Sequence, residues 1–425
     1  MANNISFTRR HFLQTSALSL GLPILPSLAG ISSLAVAQSA EQTILKKNSG
    51  MPLIVVFQRG GADGLGIVSP LDDIQFQAAR PPDMRFSKAA SIEKAAPIVL
   101  DGTSFYWHPD ASALANLYQD KALLAWQGVG LLDETRSHFE AQEIIERGVS
   151  QLQRLPDQLG WMTRQSIAQN SGLVRLSKNT AEQNLITSIP LFAGNDNLPR
   201  SLLGSTSAMA ARDLQSGIQM PGGPAAMKAL ESLFSADQAH PTAHQMQSVL
   251  HSINLINGAL PKAPDNPNHI VPYQTAGSTP YPNSDPGIGL RSIARLFESK
   301  VGLQYAWVDQ GGWDTHEGQS WRLSYLLKDL GNALLAFSQD MQARNQPYIL
   351  LVLTEFGRRL RTNRSGGSDH GHASLAFVMG SSVSGGQMLG SFAGLATHQL
   401  DRGVDLAVTT DYLKVLDYAL KKTNV

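Results

Sequence analysis

The 425-residue sequence has no cysteine. That absence excludes a disulfide framework, Fe–S clusters, thiolate-bound zinc and thiol nucleophiles. It has no excess charge either, since 34 Lys and Arg face 34 Asp and Glu, and so it lacks the basic footprint of a nucleic-acid binder. The motifs G-x-G-x-x-G, G-x-x-x-x-G-K-[ST], G-x-S-x-G and H-E-x-x-H are all missing. Dinucleotide enzymes, P-loop NTPases, elbow-type serine esterases and zincins thereby lose their usual handles. No hydrophobic run is long enough for a membrane anchor. Residues 16–34 are apolar but are broken by Gly21, Pro23, Pro26 and Gly30, whereas a spanning helix needs about 20 strongly apolar residues. What remains is a chain that is 42% hydrophobic, enough to build a core and to exclude global disorder. Any metal must sit on His, Asp, Glu or a hydroxyl.

Residues 1–37 are expected to be an address. Thr8-Arg9-Arg10-His11-Phe12-Leu13-Gln14 resembles a twin-arginine export signal, a mild apolar stretch follows, and Ala35-Val36-Ala37 supplies an A-x-A cleavage pattern. The expected partner is the twin-arginine export machinery and the expected location the periplasm, with no stable membrane anchor. Residues 38–50 form a polar linker, and 51–425 the working domain.

That domain alternates two patterns. Continuous apolar runs occur at Leu53–Phe57, Ala122–Trp126, Leu303–Val308, Tyr348–Leu353 and Leu375–Met379, the mark of strands buried on both faces. Helical periodicity lies between them at Ala111–Tyr118, Phe139–Arg147, Leu290–Phe297 and Trp321–Met341. The alternation predicts an α/β fold, a mostly parallel sheet covered by helices on both faces. Residues 205–286 differ: helical spacing of Ala, Met and Gln runs into a segment holding seven of the 22 prolines, and predicts a helical and Pro-rich insertion.

Ligands of such sheets bind beyond the carboxyl ends of the strands, and the acids and imidazoles of this chain gather there. The first strand leads into Arg59-Gly60-Gly61-Ala62-Asp63-Gly64 and a later one into Gly312-Trp313-Asp314-Thr315-His316. A third leads into Glu355-Phe356-Gly357-Arg358, with Gly367-Ser368-Asp369-His370-Gly371-His372 downstream. These side chains suit Zn²⁺, Mn²⁺, Mg²⁺ or Ca²⁺, as one ion or two. Each has a structural alternative: Asp63 as a helix cap, Asp314-x-His316 as an Asx turn with a satisfied histidine. Ser137 is balanced in the same way. Ser137-His138-Phe139-Glu140 reads as a capping box, yet a serine at a helix start beside Arg136 also reads as an activated nucleophile.

The ordered set Phe57-Gln58-Arg59-Gly60-Gly61-Ala62-Asp63-Gly64-Leu65, His108-Pro109, Ser137-His138-Phe139, Gly160-Trp161, Trp313-Asp314-Thr315-His316, Glu355-Phe356-Gly357-Arg358, Gly367-Ser368-Asp369-His370-Gly371-His372 and Gly385-Gly386 resembles a group of twin-arginine-exported bacterial proteins related to the alkaline phosphatase and sulfatase superfamily. The resemblance implies an alkaline-phosphatase-like three-layer sandwich and a metal-dependent hydrolase of phosphate or sulfate esters. Its substrate would be a small molecule or an envelope polymer. It further implies one metal on Asp63 activating Ser137, and another on Asp314, His316 and a final histidine, His370 or His372. Arg59, Arg136 or Arg358 would neutralise the transferred group. The pattern departs from the superfamily at Glu355-Phe356-Gly357, where Asp-His-Gly is usual. Either Glu355 takes the aspartate role, or Asp369 with His370 does so from an inserted loop. The same resemblance leaves open a non-catalytic envelope protein that binds metal or a partner through a degenerate site.

Overall fold

Strand β1 (Leu53–Gln58) is buried at every residue, and its alternation separates two cores. Ile54 and Val56 belong to one apolar cluster, Leu53, Val55 and Phe57 to another. Successive side chains of a strand point to opposite faces, so β1 must be covered on both. The structure is a computed structural model; it describes residues 50–89, 96–100, 102–151, 159–170, 188–236 and 242–424. The signal expected at 1–37 and nearly all of the linker lie outside the described residues.

β1 is the centre of a nine-stranded sheet. The other strands, in chain order, are β2 (Leu123–Gly130), β3 (Leu191–Ala193), β4 (Ala208–Ala210), β5 (Tyr305–Gln310), β6 (Ile349–Thr354), β7 (Ser374–Gly380), β8 (Met388–Leu389) and β9 (Thr410–Asp411). Across the sheet the order is β8, β2, β7, β6, β1, β5, β3, β4, with β9 also on β2. β1 pairs in parallel with β6 and β5, and only β7 runs against its neighbours β6 and β2. One face carries α1 (Ser112–Gln119), α6 (Asp285–Ser299) and α7 (Gln319–Ala343); the other carries α2 (His138–Arg147), α3 (Trp161–Asn170) and α8 (Tyr412–Lys422). This is a three-layer α/β sandwich, the class the alternating runs predict. β1, β5 and β6 all end at one edge, and the polar loops leave from there.

Helices α4 (Gly223–Ala236) and α5 (Ala243–Ala259) occupy the region expected to be an insertion. That region nevertheless starts within the sheet, because β4 at Ala208–Ala210 pairs with β3. Among the described residues no helix is long and apolar enough to cross a membrane.

Candidate metal centre

Four side chains converge at the sheet edge: Asp314 and His316 from the loop after β5, His370 from the loop before β7, and His138 from the first turn of α2. Asp314 Oδ1 lies 3.1 Å from His370 Nε2, 3.1 Å from His316 Nε2 and 3.6 Å from His138 Nε2. The Nε2 atoms of His316 and His370 are 3.0 Å apart. Ligands held at 2.0–2.1 Å around a tetrahedral ion sit roughly 3.3 Å from one another, and these separations straddle that value.

The other nitrogen of each ring explains the orientation. His138 Nδ1 lies 2.9 Å from Glu355 Oε1, His370 Nδ1 2.9 Å from the Arg136 carbonyl, and His316 Nδ1 3.2 Å from Asp369 Oδ1. An oxygen acceptor takes the N–H of a neutral imidazole and leaves the opposite nitrogen as a lone pair. All three rings thus turn Nε2 inward, in the carboxylate–histidine arrangement that orients metal ligands. His138 Nε2 is buried and has no hydrogen-bond partner among the described residues. Asp314 Oδ1 also accepts from Arg358 Nη2 at 2.6 Å, which keeps the carboxylate ionised beside the imidazoles. His138, Asp314 and His370, whose ligand atoms all lie within 4.8 Å of one another, fit one divalent ion, and His316 stands beside that group.

The electrostatics follow from the same contacts. Burial opposes ionisation of Asp314, but the Arg358 guanidinium at 2.6 Å outweighs it and, with His370, holds the carboxyl at about 2. The hydrogen bond His138 donates to Glu355 raises the His138 imidazole, whereas burial lowers His370. Burial would push Glu355 up, yet His138, Gln142 and the Gly60 amide together keep it below the ordinary value. Phe356 packs beneath two of the imidazoles, with ring centroids 4.9 Å from His138 and 4.8 Å from His370. Gly60, at φ +122°, lets the loop after β1 run against the Asp314 loop, because a Cβ there would lie 2.2 Å from Asp314 N.

Several expected site residues have other work. Asp63 is a buried strut: Arg80 binds both its carboxylate oxygens, at 2.5 and 3.0 Å, and Gln319 donates to one of them. It is therefore absent from the converging donors, and the two-metal arrangement loses its first site. Glu355 and Asp369 stand behind His138 and His316 as acceptors rather than beside the donor atoms. His372 is turned away, with Nδ1 2.8 Å from Asp401 Oδ2 and Nε2 3.0 Å from the Leu131 carbonyl. Nor are the expected anion-binding arginines free. Arg59 pairs with Glu146 and Asp309, and Arg136 with Asp401 and Asp405. Arg358 is fully buried and donates to the carbonyls of Gly60, Gly61, Trp313 and Ser368, clamping three loops together. Ser137 is the N-cap residue of α2 but makes no side-chain cap bond. The expected partner, Glu140, instead accepts from Thr135 at 2.5 Å. A cavity of about 230 Å³ is lined by His108, Arg85, Gln319 and Leu323 among others, and by none of the four converging side chains.

His138 is the residue that sequence reasoning missed. Its signal was its position, at the start of a helix that follows β2.

The family model described as a protein of unknown function (DUF1501) matches residues 201–420. The chain belongs to the DUF1501 family. The match spans Asp314, His316 and His370 of this DUF1501 chain and stops short of His138. No curated protein matches it. Among solved structures it is similar to the C-terminal periplasmic domain of EptC from Escherichia coli in complex with Zn, at 11% identity and TM-score 0.31. That alignment covers 81% of this chain and 77% of the other. It is also similar to alkaline phosphatase from the Antarctic bacterium TAB5, at 9% identity and TM-score 0.30, covering 88% and 98%.

Proposed function

We propose that this chain is an exported, metal-dependent hydrolase of phosphate or sulfate esters, built around one divalent ion held by His138, Asp314 and His370. The observation that supports it is the pair of inward Nε2 atoms of His138 and His370 beside Asp314 Oδ1, each fixed by an acceptor on Nδ1. Imidazoles with one carboxylate narrow the ion from Zn²⁺, Mn²⁺, Mg²⁺ or Ca²⁺ to Zn²⁺. Such an ion supplies Lewis acidity towards a phosphoryl or sulfuryl oxygen. Asp314 and His316, 48% and 43% exposed in their side chains, set the centre at the surface where an ester can reach it. Ser137, adjacent to His138 and free of capping duty, is the candidate nucleophile. Hydrolysis breaks the P–O or S–O bond to the leaving alcohol. Water supplies the oxygen that stays on phosphorus or sulfur and the proton that leaves on the alcohol.

A non-catalytic role would need the coordination sphere closed by protein. The three donors leave one tetrahedral position open, as catalytic ions do, whereas a fourth protein ligand would close the sphere as in structural sites. His316 Nε2, 3.0 Å from His370 Nε2 and 3.1 Å from Asp314 Oδ1, is the side chain that would close it.

The test is metal content of the purified chain, for wild type and for His138→Ala, Asp314→Ala and His370→Ala, with p-nitrophenyl phosphate and p-nitrophenyl sulfate assayed on the same samples. The proposal expects about one ion per chain, its loss in each variant and turnover that follows it. Stoichiometric metal without turnover favours the structural role, and a folded wild type that takes up no Zn²⁺ sinks both.

A further inference from the structure

The loop that carries Asp369 and His370 is basic. Between residues 357 and 370 it holds Arg358, Arg359, Arg361 and Arg364 against one acid, Asp369. Arg358 is consumed internally, and Arg359 approaches Asp369 and Asp405 only at 3.9 Å. Arg361 and Arg364 are exposed, and no carboxylate among the described residues lies within ion-pair range of either.

The loop is a hairpin. Arg358 bridges His370, Arg359 N donates to the Asp369 carbonyl at 3.0 Å, and Asn363 N donates to Gly367 O at 2.8 Å. Its tip is pinned beside the metal centre. Asn363 Nδ2 donates to the His316 carbonyl at 2.8 Å, and the carbonyls of Ser365 and Gly366 accept from Gly318 and Gln319 at the start of α7. The first turns of α7 therefore lie next to the arginines, and they expose two aromatic rings. Trp321 is 66% and Tyr325 63% exposed. The indole lies over Gly318, two residues from His316. Arg322 stacks on it, with its guanidinium 5.3 Å from the ring centroid.

Unpartnered arginines call for anionic groups, which they bind through forked N–H donors. Exposed aromatic faces call for a flat apolar surface with polar edges. Trp321 and Tyr325 are one helical turn apart, about 5–6 Å between Cβ atoms, the span of one sugar ring. Aliphatic side chains that would enter lipid are missing from this rim, since Leu323 and Leu360 are both buried.

We propose that the hairpin 358–370 and the first turns of α7 form a binding rim for an anionic glycan, with Arg361 and Arg364 on its phosphate, sulfate or carboxylate groups and Trp321 and Tyr325 on its sugar faces. The rim presents such a chain to the adjacent imidazole cluster, and so names the substrate class of the hydrolase reading on which it rests.

Calorimetry of the full chain with dextran sulfate, neutral dextran and phosphatidylglycerol vesicles tests this, with metal content measured on the same samples. Dextran sulfate binds in a salt-sensitive manner. R361A/R364A weakens it about tenfold, the sum of two exposed charge contacts, and W321A/Y325A weakens it as well. The control K421A/K422A, on α8, leaves it unchanged. Wild-type affinity in R361A/R364A, an equal loss in the control, or preference for vesicles overturns the rim. Undiminished binding by W321A/Y325A overturns its assignment to a glycan. His370→Ala keeps the polymer while losing the ion, so a failed rim and a failed metal centre give different results.

Discussion

Asp63 and Asp314 follow the adjacent parallel strands β1 and β5 and emerge, within glycine-bearing turns, at the same edge of the sheet. From there their conditions diverge. Asp63 is 2% exposed in its side chain and is bound by an Arg80 that is fully buried. Asp314 is 48% exposed, and the Nε2 atoms of three imidazoles lie 3.1, 3.1 and 3.6 Å from its Oδ1. A buried carboxylate must be neutralised where it sits, and a guanidinium that saturates both oxygens leaves nothing for a metal. A half-exposed carboxylate can share one oxygen with an internal arginine and still face outward. Partners brought from elsewhere in the chain, rather than the local motif, make one acid a strut and surround the other with imidazoles.

The largest expected effect breaks the strut. Asp63→Ala strands the buried Arg80 charge and should destabilise the fold by about 3–5 kcal/mol, read from denaturant midpoints. Asp63→Leu with Arg80→Met should recover much of that loss. Metal content of the folded fraction should not change in either, and a loss of metal would return Asp63 to the centre. Asp314→Asn tests the other side. It should remove the ion while destabilising the metal-free chain by no more than about 1–2 kcal/mol, because Arg358 keeps four backbone carbonyls. If chelator-treated Asp314→Asn falls as far as Asp63→Ala, the contrast between the two acids fails.

Glu355→Gln probes the layer behind the ligands and has a smaller effect. The carboxylate accepts the His138 Nδ1–H and fixes which nitrogen points inward. An amide in its place weakens that acceptor. Ion affinity should fall about 10–100-fold, measured by competition with a chelating dye, with the ester-free fold intact. Complete loss would make Glu355 a direct ligand, as the Glu355-Phe356-Gly357 motif had suggested.

The strand cores were legible because a strand buried on both faces leaves an unbroken run such as Leu53–Phe57 or Ile349–Leu353. β3 and β4, three residues each, are too short for any period and were not foreseen. Asp314, His316 and His370 were legible as a group because potential ligands lay close together in sequence at a strand edge. Their three-dimensional partners were not. Arg80 lies 17 residues beyond Asp63 with no motif to join them, and the contact of His138 with Asp314 spans two layers of the fold. His138 was also hidden by a competing pattern, since Ser137-x-x-Glu140 satisfied a capping box.

That pattern supplies the mildest test. Removing a working serine cap costs about 1 kcal/mol. Ser137 makes no side-chain cap bond, and Glu140 is engaged by Thr135 instead. Ser137→Ala should therefore shift stability by less than about 0.5 kcal/mol and leave the ion in place, since Ser137 is not among the three donors. Thr135→Ala should cost at least as much, because Thr135 also accepts from the Ser137 amide at 3.1 Å. Against that flat background, ester turnover becomes the informative readout. Its loss in Ser137→Ala, with metal and stability unchanged, assigns the serine to the chemistry. Turnover at the wild-type rate would move the nucleophile off the protein and onto water, leaving the imidazole cluster as the whole of the machinery.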